Sequence, residues 1–113
     1  MPFIDTKLTQ KVTDPQKDLI KSRFGEALKL LNKTEDYLMV GIADGYDLYF
    51  GGKKLEKGAY VEVSLLGSAP SAAYEKMTDA ICTILDDILG IPGKAVYVTY
   101  HGLKDWGWNG SNF

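Results

Sequence analysis

The sequence predicts an α+β domain built on a duplicated βαβ unit, with a four-stranded mixed sheet and two helices on one face. Three observations predict this fold. The length of 113 residues suits a single domain, residues 1–113. Two segments carry apolar residues at helical spacing, and short apolar segments typical of strands flank each of them. Hydrophobic residues make up 45% of the chain and charged residues 25%, which is typical of a folded domain.

The first βαβ unit is predicted over residues 2–45. A strand over residues 2–8 precedes a helix that begins at Thr13, a residue type that caps helix N-termini, and ends near Asn32. A second strand over residues 37–42 completes the unit. The apolar positions of the helix recur three and four residues apart and are Ile20, Phe24, Ala27, Leu28 and Leu31.

Short turns are predicted between the two units. Residues 41–52 are rich in Gly and Asp and contain one brief strand at residues 48–50, which is followed by a tight turn at Gly51-Gly52. Residues 53–58 are predicted to form a charged turn. The chain therefore turns back before the second unit begins.

The second βαβ unit is predicted over residues 59–102. Strands over residues 59–66 and 95–100 enclose a helix that begins around residues 68–71 and ends at Gly90, a typical C-capping residue. The halves align at an offset of 57, with Phe3 on Tyr60 and Ile20 on Met77. This match indicates an internal duplication, although two unrelated βαβ units would also align in part. One more very short strand is predicted within residues 107–111.

The predicted strands carry apolar residues on both faces. In the predicted strand over residues 59–66, Val61 and Val63 point to one face of the sheet while Tyr60 points to the other face. Two helices cover only one face of a four-stranded sheet, so the other face requires a partner. The sequence therefore predicts a homo-oligomer.

Composition excludes several classes of function. The net charge is −2, and Arg23 is the only arginine, so no basic stripe for nucleic acid is present. One cysteine, Cys82, and one histidine, His101, exclude a CxxC or multi-histidine metal site, and we expect no metal or cofactor. No membrane span and no signal peptide are predicted, so we expect a cytoplasmic protein or one secreted without a signal peptide.

Pro2 is the residue that most clearly suggests a catalytic role. Removal of Met1 would expose a secondary amine at Pro2. An ordinary α-amino group has a pKa of about 7.7–8.0, and burial lowers that value because it disfavours the charged form. A prolyl amine in an apolar pocket would therefore be a neutral base near neutral pH.

Motifs in a shared order along nearly the whole chain resemble the macrophage migration inhibitory factor (MIF) branch of the tautomerase superfamily. The motifs are Met1-Pro2, Asn32-Lys33 with Tyr37, Phe50-Gly51-Gly52, Ser64-Leu65, Pro92, Val96-Tyr97 and Gly107-Trp108-Asn109-Gly110-Ser111-Asn112-Phe113. The resemblance implies a duplicated βαβ fold that forms a homotrimer. It also implies a cofactor-free keto–enol tautomerase that acts on phenylpyruvate-like α-keto acids.

The resemblance assigns roles to four residues near the reacting atoms. Pro2 matches the catalytic N-terminal proline, which takes a proton from the substrate and returns it elsewhere. Lys33 matches the lysine that binds the substrate carboxylate, and Leu65 matches the position whose backbone N–H faces the ligand. Tyr97 matches a tyrosine that reaches in from a neighbouring subunit. Taken alone, Lys33 is better explained as a residue that stabilises the end of a helix, and only the resemblance favours a role in the site.

The resemblance also assigns the walls of the pocket. Tyr37, Trp108 and Phe113 match aromatic or apolar wall positions, although such residues are ordinarily part of a sheet or core. Thr99 stands where the family commonly has an asparagine, which changes recognition at the distal end of the substrate. Phe3 and Trp106 are expected to add bulk near the pocket.

Two other functions remain open at this stage. The resembled family includes secreted cytokines, so a cytokine or cytokine mimic that binds a host receptor, with weak or vestigial tautomerase activity, is the alternative. A related isomerase or dehalogenase is less consistent with the chain, because hydrolytic relatives need additional Arg and Glu groups and this chain has one Arg. The absence of a CxxC pair argues against thiol-oxidoreductase activity.

Overall fold

A computed structural model describes all 113 residues. Its main body is a four-stranded sheet with two helices packed against one face. The strands and helices are β1 (Pro2–Leu8), α1 (Asp14–Ala27), β2 (Met39–Ala43), β3 (Tyr49–Phe50), β4 (Lys53–Lys54), β5 (Ala59–Leu66), α2 (Ser71–Leu89), β6 (Val96–Leu103), β7 (Gly107–Trp108) and β8 (Ser111–Asn112). The order in the sheet is β2-β1-β5-β6. Strands β1 and β2 run parallel, β5 and β6 run parallel, and β1 and β5 are antiparallel. The predicted mixed sheet is confirmed.

Helix α1 begins as predicted but ends early. The Thr13 side chain accepts a hydrogen bond from the Gln16 backbone, and the Gln16 side chain accepts one from the Thr13 backbone, so both form a capping box. The regular helix stops at Ala27 and tightens into a 3₁₀ turn over Leu28–Leu31. The prediction of one continuous helix to Asn32 was wrong, because the last carbonyl groups are satisfied by tighter bonds.

Helix α2 has the predicted bounds. It follows Pro70 and ends at Gly90, which adopts a left-handed conformation with φ 68° and donates its N–H to the carbonyl oxygens of Leu85 and Asp86. Both helices bury their apolar stripes against the inward residues of β1 and β5, such as Ile4 and Val63. No helix is long and apolar enough to cross a membrane.

The uncovered face of the sheet differs from the prediction. Its central rows carry charged and polar side chains, and Lys7 Nζ lies 2.9 Å from Asp5 Oδ2 and 3.9 Å from Glu62 Oε1. Across the same strands, His101 Nε2 lies 3.6 Å from Glu62 Oε2 and 3.2 Å from Thr99 Oγ1. The expectation of two apolar faces holds in part, because outward Phe3 and Tyr60 share the uncovered face with the charged residues Asp5, Lys7 and Glu62. The exposed aromatic side chains lie instead near the ends of the sheet and in the hairpins.

Two segments differ from the predicted local structure. Residues 53–58 are not only a turn, since Lys53–Lys54 pairs with Tyr49–Phe50 as a two-stranded hairpin. Its turn is Gly51-Gly52, with φ of 59° and 82°, conformations that glycine adopts without steric cost. Strand β2 begins at Met39 and not at residue 37, because a 3₁₀ turn over Glu35–Tyr37 precedes it.

Asp44 joins the end of β2 to the segment before α1 and makes stability sensitive to acid. Its Oδ2 accepts a hydrogen bond of 2.9 Å from the Val12 N–H, and this bond holds the pKa of Asp44 below its ordinary value of 3.8. A carboxyl group with a lowered folded-state pKa stabilises the fold above its unfolded-state pKa, and this stabilisation is lost as pH falls through the folded-state value.

We therefore expect Asp44→Asn to unfold more easily than the wild-type chain at pH 7. The difference in unfolding free energy should shrink as the pH is lowered below about 4. Urea unfolding of both chains between pH 7 and pH 2 measures it. Asp47→Asn, which removes a nearby exposed carboxylate without a backbone hydrogen bond, controls for the change in net charge. A difference that is independent of pH would contradict the assignment.

Candidate active site

The start of β1 places Pro2 at one end of the sheet. Pro2 is buried and lies directly opposite Leu65 of β5, in antiparallel register. Proline has no amide hydrogen for the ladder, so the first residue of a strand is a position that it tolerates. The carbonyl of Met1 accepts a 3.1 Å hydrogen bond from the Leu66 N–H. Pro2 and Leu65, two of the predicted site residues, are therefore neighbours.

Lys33 joins this pair from the end of the first helical segment. The left-handed Asn32, with φ 57°, ends the 3₁₀ turn, and the next residue, Lys33, extends to the end of β5. Its Nζ donates a 3.3 Å hydrogen bond to the Leu66 carbonyl oxygen, and no carboxylate forms a salt bridge with it. The half-buried ammonium group is thus held beside Pro2 with its charge unpaired.

The α-amino group at this end of the chain loses its proton more readily than an ordinary α-amino group. Burial lowers the pKa of the Met1 α-amino group below its ordinary value of 8.0, and the positive charge of Lys33 lowers it further. Both causes disfavour the charged form. The surroundings therefore favour a neutral amine, which is the form that accepts a proton.

Three predicted wall residues form an aromatic cluster. The rings of Tyr37 and Trp108 meet edge to face with centroids 5.6 Å apart, and those of Trp108 and Phe113 stack at 5.8 Å. Each of the three side chains is about half exposed. Tyr37 precedes β2 and the β7–β8 hairpin follows β6, so this cluster lies at the same end of the sheet as Pro2.

Phe3 and Trp106, which were expected to add bulk near the pocket, lie in different parts of the structure. The ring of Phe3 lies over Gly41 on the uncovered face of the sheet, because β1 alternates and Phe3 points away from the helices. The Trp106 carbonyl accepts a 3.0 Å hydrogen bond from the Phe113 N–H and so holds the end of the chain near the hairpin.

Tyr97 and Thr99 are separated from Pro2 within one chain. Tyr97 lies opposite Tyr60, whereas Pro2 lies opposite Leu65, five residues further along β5. At the usual strand rise this separation is about 17 Å. One chain therefore holds two groups of predicted site residues at opposite ends of its sheet. A single pocket that contains both Pro2 and Tyr97 requires two copies of the chain.

An apolar cavity of about 340 Å³ lies at the Tyr97 end. Its lining residues come from the β3–β4 hairpin and from strands β5 and β6 with the turns before them, and are Leu48, Tyr49, Phe50, Leu55, Ala59, Tyr60, Ala95, Tyr97 and Thr99. Phe50 packs against Tyr97 with ring centroids 5.4 Å apart. The sequence analysis did not select Phe50 or Tyr60 as site residues. Strand alternation, which places Tyr60 on the uncovered face, was a signal that could have pointed to Tyr60.

The Pro2 end of the sheet combines three chemical features. An α-amino group with a lowered pKa can remove a proton, the unpaired Lys33 ammonium can bind a carboxylate, and an aromatic cluster can stack on a ring. No group of three or more His, Cys, Asp or Glu side chains is arranged to hold a metal ion. The arrangement is suited to proton transfer on a small aromatic acid.

Comparisons with known proteins agree with this fold along the whole chain. The sequence profile described as macrophage migration inhibitory factor (MIF) matches residues 1–113. A macrophage migration inhibitory factor homolog of Trichuris trichiura is 31% identical over 98 residues, which is 85% of each chain.

Two crystal structures show the same similarity in three dimensions. The MIF2 protein of Leishmania major is 31% identical and superimposes with a TM-score of 0.93. The match covers 100% of this chain and 97% of that protein's chain. The macrophage migration inhibitory factor homologue of Prochlorococcus marinus is 26% identical, with a TM-score of 0.88 over 98% of both chains. The chain belongs to the macrophage migration inhibitory factor family.

Proposed function

We propose that the protein is a cofactor-free keto–enol tautomerase that acts on phenylpyruvate-like α-keto acids. Removal of Met1 would make the Pro2 nitrogen a secondary amine and the catalytic base. The observation that carries the proposal is the unpaired Lys33 ammonium at the end of the sheet where Pro2 is buried; burial and this charge lower the pKa of the Met1 α-amino group there. The substrate carboxylate would thus bind the Lys33 ammonium, and the substrate proton would be taken by the amine at the same end of the sheet.

The proposed reaction moves one proton from carbon to oxygen. The Pro2 amine takes the proton from the carbon next to the keto group, and the electron pair of the broken C–H bond forms the enolate. The resulting prolyl ammonium then gives a proton to the enolate oxygen, which completes the enol and restores the amine. Lys33 and the backbone N–H of Leu65 would hold the acid and stabilise the developing negative charge.

The aromatic cluster supports an aryl substrate in preference to a small aliphatic acid. Tyr37, Trp108 and Phe113 expose faces and edges of rings at the same end of the sheet as the proposed base. Aromatic rings pair favourably in edge-to-face and offset geometries, by about 0.5–1.5 kcal/mol beyond burial alone. The same rings would exclude water from the Pro2 amine and so keep it neutral.

A homotrimer would complete the site. Tyr97 and Thr99 lie at the opposite end of the sheet from Pro2, so they could contact a substrate at Pro2 only from a neighbouring subunit. The exposed aromatic side chains at both ends provide apolar surface for such an assembly. A native mass three times the chain mass of 12.5 kDa would support this arrangement.

The experiment is the enol–keto interconversion of phenylpyruvate, followed by ultraviolet absorbance, with Lys33→Met as the variant. We expect kcat/KM to fall by roughly 10- to 100-fold, because a hydrogen bond to a charged group is lost. The rise of activity with pH should also move to higher pH. The Lys33 charge contributes to the lowered pKa of the Met1 α-amino group, and we expect it to act in the same way on the Pro2 amine.

Controls separate this role from a general effect of charge. Lys94→Met removes an exposed lysine from another part of the chain and should leave the kinetics unchanged. Equal turnover by Lys33→Met and wild-type protein would exclude the assigned role of Lys33. No turnover by wild-type protein without Met1 would refute the tautomerase proposal, and binding to a cytokine-receptor ectodomain would then support the signalling alternative.

A further inference from the structure

The Lys33 ammonium depends on one backbone carbonyl for its position. Its Nζ donates a 3.3 Å hydrogen bond to the Leu66 oxygen at the end of β5 and forms no salt bridge. A lysine side chain is long and has many rotamers, so the place of this acceptor decides where the charge lies. The groups that fix the Leu66 carbonyl therefore also fix Lys33.

The Leu66 carbonyl belongs to a peptide group that is held from β6. Its oxygen and the Gly67 N–H lie in one plane and point in opposite directions. The Gly67 N–H donates a 2.8 Å hydrogen bond to the Leu103 carbonyl oxygen. This bond fixes the rotation of the peptide group and directs the Leu66 oxygen away from β6, toward Lys33. Donation at the N–H also polarises the peptide group and makes its oxygen a better acceptor.

The turn after β5 packs directly against the backbone of β6. Leu65 lies opposite Gly102 in the parallel register, and the chain turns at Gly67, where φ is 83°. A Cβ atom at position 102 would lie 2.5 Å from the Gly67 carbonyl oxygen and 3.2 Å from Ser68 Cβ, so a side chain there would force the backbone of the turn away. The lack of a side chain at Gly102 therefore allows the turn to close against β6.

Tyr74 of α2 holds the same turn from the other side. Its hydroxyl accepts a 3.0 Å hydrogen bond from the Ala69 N–H, two residues after Gly67. The Tyr74 ring stacks on Tyr100 with centroids 4.4 Å apart, so packing keeps the hydroxyl in place. The turn is thus fixed between β6 and α2.

We infer that Gly102 and Tyr74 are positioning residues, which hold the peptide group between Leu66 and Gly67 and, through it, the Lys33 ammonium. This inference rests on the proposed function, in which Lys33 binds the substrate carboxylate. Neither positioning residue needs to touch the substrate. A shift of the turn moves the Leu66 oxygen and releases the lysine side chain into rotamers that do not face the carboxylate.

Gly102→Ala tests the contact with β6. The added methyl group displaces the Gly67 carbonyl and weakens the bond from the Gly67 N–H. We expect kcat/KM for phenylpyruvate in the mature protein to fall by roughly three- to tenfold, the effect of about one hydrogen bond. Gly93→Ala is the matched control and should leave kcat/KM unchanged, because a Cβ atom there has its nearest neighbour at 3.8 Å.

The Lys33→Met background distinguishes positioning from a general effect on the fold. Without the ammonium group there is no charge to position, so Gly102→Ala should lower kcat/KM by less than about twofold in that background. An equal loss in both backgrounds would overturn the inference, since the substitution would then act independently of Lys33. Unchanged kinetics in Gly102→Ala itself would also overturn it.

Tyr74→Phe loosens the turn without adding volume, and it decides the question if Gly102→Ala does not fold. The ring and its stacking on Tyr100 remain, while the Ala69 N–H loses its acceptor. We expect kcat/KM to fall by roughly two- to fivefold, and this loss to disappear in the Lys33→Met background. Tyr46→Phe removes an exposed hydroxyl elsewhere and should change nothing. Wild-type kinetics in Tyr74→Phe would overturn the role of Tyr74.

A binding measurement tests the inference without turnover. Calorimetric titration with 3-phenylpropanoate and its neutral amide, 3-phenylpropanamide, gives a ratio of affinities that reports how well the ammonium meets a carboxylate. We expect wild-type protein to prefer the acid, and Gly102→Ala to lower the ratio by roughly three- to tenfold. If catalysis fails but the ratio falls in this way, the proposed reaction is refuted and the inference stands. Equal affinities in wild-type protein, no measurable binding, or a ratio unchanged by Gly102→Ala would overturn the inference.

Discussion

Placing the Pro2 nitrogen inside a peptide bond is expected to lower kcat/KM for phenylpyruvate by about 10²- to 10⁴-fold, the usual contribution of a general base. A Gly-Ser extension that remains in front of Pro2 makes this change without altering any side chain. The nitrogen becomes an amide and can no longer accept a proton. The new amino group lies two residues away, about 7 Å at full extension, which is too far to replace it.

The structure indicates that the fold tolerates this extension. The residue before Pro2 already accepts a hydrogen bond from the Leu66 N–H through its carbonyl oxygen, and the extended chain retains that bond. Phenylpyruvate turnover is measured on extended and mature protein, with intact masses that confirm each N-terminus. Thermal unfolding of both chains provides the control for folding. Equal turnover would show that Pro2 is not the base.

The largest expected effect on stability is at Phe24, in the last turn of α1. Its side chain is 0% exposed and packs in the core between the helices and the sheet. Truncation to alanine removes this buried ring and leaves a cavity. We expect Phe24→Ala to lower the free energy of unfolding by about 3–5 kcal/mol.

Leu19 provides a matched control on the same helix. It is 48% exposed, and Leu19→Ala should change the free energy of unfolding by less than about 0.5 kcal/mol. Urea unfolding of wild-type protein and both variants, at one protein concentration, measures the two effects. A cost below about 1 kcal/mol for Phe24→Ala would mean that the core does not depend on this ring as the packing indicates.

Much of the fold could be predicted because its signals are local. The capping residue Thr13 and the C-capping Gly90 indicate helix ends through bonds to their own neighbours. Apolar spacing in α1 and α2 identifies the face that is buried. The boundaries that were wrong, at Ala27 and Met39, lie at short 3₁₀ turns, where bonds three residues apart replace the regular pattern.

The candidate site was predictable only in part. The resemblance to a family selected Pro2, Lys33 and the aromatic wall residues, and the structure brings these to one end of the sheet. Tyr60 was not selected, because strand alternation places it on the uncovered face but does not distinguish a residue that lines a cavity from one in ordinary packing. Its hydrogen bond to Thr99 joins residues 39 positions apart in the chain.

The sequence by itself determined the two βαβ units, the buried helix faces and the position of Pro2 directly after Met1. These depend on residue type and on spacing over a few residues. Only the tertiary structure decided that Lys33 lies unpaired beside that terminus and that Tyr97 lies at the opposite end of the sheet. The position of Lys33 depends on the turn that ends at Asn32 and on the contact with Leu66, and the position of Tyr97 depends on the register of β6 against β5. Both bring together residues far apart in the chain, so the spacing within one segment does not reveal them.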